Sequence, residues 1–151
     1  MKSVLERLTD LSEQGRFCFH GSAEHIGGFI KPHQAHGPRE HEQHRAVYAS
    51  TDYRVALAHA TVRLTGTRSS FATNWNGDFS RLIIDGYGVS FQEGYVYVLD
   101  KNLFVPSGSD CGLEYIATET VRPIDGYILV QKEDLLKAPD IQLEIKDPPL
   151  R

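Results

Sequence analysis

The stretch "RFCFHGSAEH", residues 16–25, runs a short apolar segment straight into His20, Gly21 and Ser22. A strand that only closes a core ends in ordinary turn chemistry. One that delivers an imidazole, a glycine backbone and a hydroxyl to one spot is suited to aiming them at a ligand. Two more residues stand at comparable places. Tyr48 lies in "VYAS", where a strand leads into a helix, and puts an aromatic ring at the mouth of that turn. Glu114 opens "EYIATETV" directly after the Gly- and Ser-rich loop "PSGSDCGL". An imidazole, a phenol and a carboxylate are thus each expected at a strand edge beside a pliable segment, where rigid scaffolds often build sites.

Each residue also has a plainer reading. His20 could be a strand-end histidine with a satisfied hydrogen bond, Tyr48 a half-buried strand aromatic, Glu114 a solvated edge carboxylate, and Gly21 a turn residue. His33, His36, His41 and His44 crowd one loop, and histidine is a common metal ligand. That loop has no cysteine and no rigid element, so no metal site is expected and a solvated loop is the simpler reading. Arg39, Arg45, Arg54, Arg63 and Arg68 make the middle of the chain locally basic, able to meet an anionic ligand or merely to solubilise.

The elements that must position these residues are legible in part. Ser3 with Glu6 is a capping-box pattern, Val4, Leu5, Leu8 and Leu11 recur at helical spacing, and Gly15 would stop that helix. "RFCFH" reads as a strand with Phe17 and Phe19 on one face, followed by a helical turn from Ser22 to Gly27–Gly28. Residues 31–45 form a polar loop. "RAVYAS" is a strand, and "STDYRVALAHATVRL" a helix capped by Ser50 or Thr51, with Val55, Ala58 and Val62 facing the core. Residues 65–93 are ambiguous, with "SSFATNWNGDF" and "RLIIDGYG" as candidate strands. "GYVYVL", "EYIATETV" and "GYILV" are further strands, "KEDLLKAPD" a helical turn, and "DPPLR" a frayed tail. Helices and strands mix without strict alternation, which favours an α+β class over a doubly wound sheet.

The chain has 151 residues, enough for one domain spanning 1–151 with a substantial core. Its net charge of −4 argues against wholesale binding to a phosphate backbone. Two distant cysteines, Cys18 and Cys111, have no metal-like spacing, and a buried reduced thiol is expected at Cys18. The N-terminal segment is charged throughout, without the apolar core of a signal peptide, and no run has membrane-spanning length. A cytoplasmic protein with no membrane partner is the expectation.

"FHGS", "VYAS" and "LEYIATETVRPIDGYILV", in that order between residues 16 and 131, resemble the ADP-ribosyltransferase superfamily. The likeness is to its His–Tyr–Glu branch, typified by poly(ADP-ribose) polymerases and diphtheria-like toxins. It implies a split fold of two small packed antiparallel sheets with flanking helices, clasping NAD as co-substrate. By resemblance, His20 would hydrogen-bond the ribose of the adenosine half, Gly21 would bracket the nicotinamide carboxamide with its backbone, and Ser22 would assist on a ribose hydroxyl. Tyr48 would stack on nicotinamide, and His59 lies near where the polymerases carry a second stacking tyrosine. Glu114 would accept from the nicotinamide-ribose 2′-hydroxyl and favour the oxocarbenium-like state. Ala56 stands about where those enzymes use a serine. The histidine-rich loop corresponds to a segment that often lies over the dinucleotide.

The implied activity is transfer of ADP-ribose from NAD to a protein, nucleic acid or small molecule, with nicotinamide released. Two alternatives remain open: an RNA 2′-phosphotransferase, which shares the "HG" strand end and the use of NAD, and a non-catalytic module that binds NAD or ADP-ribose.

Overall fold

The computed structural model describes residues 2–34, 45–109 and 111–147. His36, Arg39, His41, His44 and most of the "DPPLR" tail lie outside the described residues. The helical periodicity of the N-terminus forms α1 (Val4–Glu13), whose capping box is present as the sequence predicts: the Ser3 hydroxyl accepts from Glu6 N–H while the Glu6 carboxylate accepts from Ser3 N–H. Gly15, at φ +69, lets the chain leave the helix at no steric cost. β1 (Phe17–Ser22) follows, then β2 (His33–Gln34), β3 (Arg45–Ser50), α2 (Tyr53–Thr61) and β4 (Val62–Leu64). The remainder is β5 (Ser70–Trp75), β6 (Leu82–Tyr87), β7 (Val89–Phe91), β8 (Gly94–Asp100), β9 (Val105–Pro106), β10 (Glu114–Ala117), β11 (Tyr127–Val130), α3 (Lys132–Lys137) and β12 (Ile141–Lys146).

The larger sheet has seven strands, ordered β11-β8-β1-β3-β10-β9, with β2 also paired to β3. A second sheet runs β12-β6-β5, and β4 pairs with β7 as a ribbon. The class is α+β, with few helices and mostly antiparallel strands. Two details differ from expectation. One sheet is not small, and β12 runs parallel to β6, so the second sheet is not wholly antiparallel. Ser22–Gly28 forms no helical turn, because the Ser22 hydroxyl closes a local loop onto Glu24 and Gly27 turns left-handed at φ +88.

The core lies on both faces of the large sheet. Phe19, Leu57, Val96 and Val98 pack with Leu8 and Leu135 from α1 and α3 on one face, whereas Cys18, Val47, Tyr97 and Leu99 pack on the other. This follows from strand alternation, which sends Cys18 and Phe19 to opposite sides. α2 rests on β1 and β8 so closely that a Cβ on Gly21 would stand 1.9 Å from the Ala56 carbonyl oxygen, and one on Gly94 1.8 Å from that of Ala60. The glycine of "FHGS" therefore sits within a strand and under a helix, not in a turn. No helix among the described residues is long and apolar enough to cross a membrane.

Candidate functional site

β1 is zipped to β8 along its whole length, from Phe17↔Asp100 to Ser22↔Tyr95. Its register with β3 is a single pair, Phe19↔Ser50. Beyond that pair the ladder stops, and the His20 side chain takes over: its Nδ1 lies 2.7 Å from the Tyr48 carbonyl oxygen. A carbonyl only accepts, so Nδ1 carries the proton and Nε2 keeps a lone pair. Burial pulls the imidazole pKa below its ordinary value; the bond to Tyr48 pushes it up and the nearby His33 pulls it down. The neutral ring with a defined tautomer is the form that results at pH 7.

β10 lies on the other side of β3 with Glu114↔Ser50 and Ile116↔Tyr48. Tyr48 and Glu114 are therefore diagonal neighbours on one face, about 7–8 Å apart by sheet geometry. The Glu114 Oε1 accepts from the Ser107 hydroxyl at 2.8 Å, which orients the carboxyl group. Ser107 is almost fully buried and was given no role by sequence reasoning, since nothing in "PSGSDCGL" distinguishes one serine from another.

His20, Gly21, Ser22, Tyr48, His59 and Glu114 all line one cleft of about 1290 Å³. That exceeds the roughly 300–1,000 Å³ typical of small-molecule sites, so a dinucleotide-sized occupant has room. The fit of individual residues to the expected roles varies. The Ser22 hydroxyl donates to the Glu24 carbonyl at 2.7 Å, so its proton is committed to the loop. Ala56, buried in the cleft wall, supplies no hydroxyl. Val55, expected in the core, packs against it half-buried and also lines the cleft.

His59 follows Ala56 by three residues on the same face of α2, and its ring centroid lies 5.1 Å from that of Phe71. The side chain is exposed at the cleft wall. Surrounding protein pushes its pKa down to about 4, with the charge on His20 a smaller cause. The contact with Phe71 links α2 to a wall the sequence left ambiguous, where β5 contributes Thr73, Asn74 and Trp75. Phe79, at φ +60, is held left-handed in the turn between β5 and β6, where Asn76 Oδ1 accepts from the Ser80 and Arg81 N–H groups at 3.0 Å. A left-handed bulky residue is a strained one, and this ring also borders the cleft.

Two of the five middle arginines are structural. Arg54 forks onto Asp52 at 3.0 and 2.7 Å and donates to the Ser80, Pro139 and Asp140 carbonyls. Arg63 donates to the Ala60, Ala23 and Glu93 carbonyls, closing the end of α2. Neither is available to a ligand, and neither Arg45 nor Arg68 lines the cleft. Cys18 is buried, with its thiol pKa pushed up to about 12 by desolvation, so it stays protonated. Among the described residues no three histidine, cysteine, aspartate or glutamate side chains are grouped to hold a metal ion.

No family model matches the chain, and no curated protein or solved structure matches it.

Proposed function

We propose that the chain is an NAD-dependent mono-ADP-ribosyltransferase, and that its α+β architecture is the split fold of that superfamily. The observation that carries this reading is the convergence of His20, Tyr48 and Glu114 on one cleft, with the imidazole locked to the Tyr48 carbonyl. His20 Nε2 would accept from a ribose hydroxyl of the adenosine half, which requires the neutral ring. The Tyr48 ring would stack on nicotinamide, contributing about 0.5–1.5 kcal/mol beyond area burial. Nicotinamide leaves with the electron pair of its bond to C1′, and positive charge develops on the ribose. Glu114, oriented by Ser107, would stabilise that charge through the 2′-hydroxyl. The acceptor nucleophile then bonds to C1′ and gives its proton to water.

Glu114→Gln keeps the shape of the side chain and an oxygen for Ser107 but removes the negative charge. The expected outcome is NAD binding within a few-fold of the parent and nicotinamide release slowed by about 100–1,000-fold. Nicotinamide release at the parental rate would remove Glu114 from the chemistry.

Ala56 favours a second reading, a binding module that holds NAD or ADP-ribose without turning it over. The same assay separates the two: saturable ADP-ribose binding with no nicotinamide released by the parent chain would select the module. The RNA 2′-phosphotransferase reading is weaker, because no arginine is found among the described residues that line the cleft.

A further inference from the structure

A dinucleotide brings a diphosphate into the cleft, and of the described middle arginines Arg54 and Arg63 are committed to protein acceptors while Arg45 and Arg68 do not line the cleft. Among the described cleft-lining residues, the cationic side chain is Lys31. It is exposed and makes no ion pair with any described residue. An ammonium with no ion-pair partner among the described residues, on the wall of a ligand cleft, is suited to an anion.

The backbone on both sides of Lys31 is fixed. Ile30, buried, exchanges two hydrogen bonds with Val121, at 2.8 and 2.9 Å. Pro32 follows, and the residue before a proline is steered to extended conformations. His33 then pairs with Ala46 of β3. In extended chain, residues two apart point to the same side. Lys31 and His33 both line the cleft, as that periodicity requires, and His33 is close enough to His20 for their charges to interact. The segment ahead of them is docked as well: Ile26 N–H donates to the buried Tyr97 hydroxyl at 2.7 Å, and His25 packs edge-on against Tyr95 and Tyr127. The two side chains thus project from a rigid rim.

We infer that Lys31 and His33 form the diphosphate seat of the cleft, Lys31 by charge and His33 by an imidazole N–H. The seat rests on the nucleotide reading above, but its chemistry is that of a phosphate oxyanion beside His20. It also supplies what the net charge of the chain would otherwise withhold, a local positive site for an anionic ligand in an acidic protein.

The test measures three probes by titration calorimetry on the full chain: ADP-ribose, inorganic pyrophosphate and nicotinamide riboside, which has no phosphate. Lys31→Ala is expected to weaken ADP-ribose and pyrophosphate by about ten-fold or more, since hydrogen bonds to charged groups carry about 1.5–3 kcal/mol. Nicotinamide riboside should bind as in the parent, the salt dependence of ADP-ribose binding should flatten, and Lys31→Arg should restore most of the affinity. His33→Ala should show a smaller loss in the same pattern. ADP-ribose binding unchanged in Lys31→Ala would overturn the seat, as would an equal loss for all three probes or a parent chain that binds neither phosphate probe. If the parent binds pyrophosphate through Lys31 but not nicotinamide riboside, the seat stands and the transferase reading falls. If it binds nicotinamide riboside, and ADP-ribose without help from Lys31, the reverse holds.

Discussion

Gly21 shows how one residue can answer to two demands. Resemblance assigns its backbone to a ligand, whereas the packing gives it a reason that needs none: a Cβ would stand 1.9 Å from the Ala56 carbonyl oxygen and 2.9 Å from the Ala60 nitrogen. Those are helix backbone atoms and cannot swing aside. Gly21→Ala is therefore expected to lower stability by about 3 kcal/mol, near the upper end of overpacking costs, as a fall in the urea midpoint. A variant as stable as the parent would mean that α2 can lift away. Residue identity was otherwise legible where the chemistry is in the side chain itself. Glu114 opens β10 as its surrounding sequence suggests, whereas His20 and Tyr48 lie inside β1 and β3 and not at their ends, yet the three share a cleft. What the sequence could not convey was which polar groups are spent locally. Ser22, Arg54 and Arg63 have the types a ligand site wants, yet their donors close a loop, tie segments together and cap the end of α2.

At the scale of elements, α2 carries one wall of the cleft, and its start illustrates why boundaries resist reading. Ser50, Thr51 and Asp52 are all capping types, and only the fold chooses among them. Ser50 Oγ accepts from Asp52 N–H, which leaves Asp52 to cap Arg54 N–H at 3.0 Å and to pair with the Arg54 guanidinium at 2.7 Å. Both side chains of the pair are largely buried, so Asp52→Ala removes a cap and strands a cation. A loss of about 2–3 kcal/mol is expected, read as a drop in thermal midpoint, with Asp52→Asn less damaging because it can still cap. The far end is equally hidden. "HATVRL" has no helix breaker, yet α2 ends at Thr61 because Val62–Leu64 are recruited into a ladder with Val89–Phe91. β8 was readable because its run of aromatic and aliphatic residues is continuous, as suits a strand buried on both faces. β5 alternates only between exposed and half-buried positions and carries a weak local signal, whereas β12, "IQLEIK", does alternate apolar and polar residues, a strand pattern that went unread in the sequence. Both belong to the second sheet; β5 was legible as a candidate strand, but its place in the cleft wall was not.

For the molecule as a whole, the cleft imposes a dependence on pH. His20 and His59 both have pKa values held below the ordinary 6.5, mainly by loss of water, and that of His59 falls to about 4. The unfolded chain would bind protons at these rings near pH 6.5, whereas the folded chain does not until the solution is more acidic. Above about pH 6.5 both states are neutral and the rings impose no penalty. As pH falls toward 4, the unfolded state takes up protons that the folded state refuses, so stability declines across that window; below it the His59 penalty is complete. Because His59 opens onto the cleft, water softens its share, and the observable is a slope, not a fixed increment. Thermal unfolding followed from pH 7 to pH 4.5 should show a falling midpoint in the parent and a shallower fall in His59→Gln, which has nothing to protonate. Carboxylates that titrate at the lower end affect both proteins alike and cancel in the comparison. Parallel curves would mean that His59 titrates in the folded chain as freely as in the unfolded one, and the cleft would then be too wet beside α2 to disfavour a charged imidazole there.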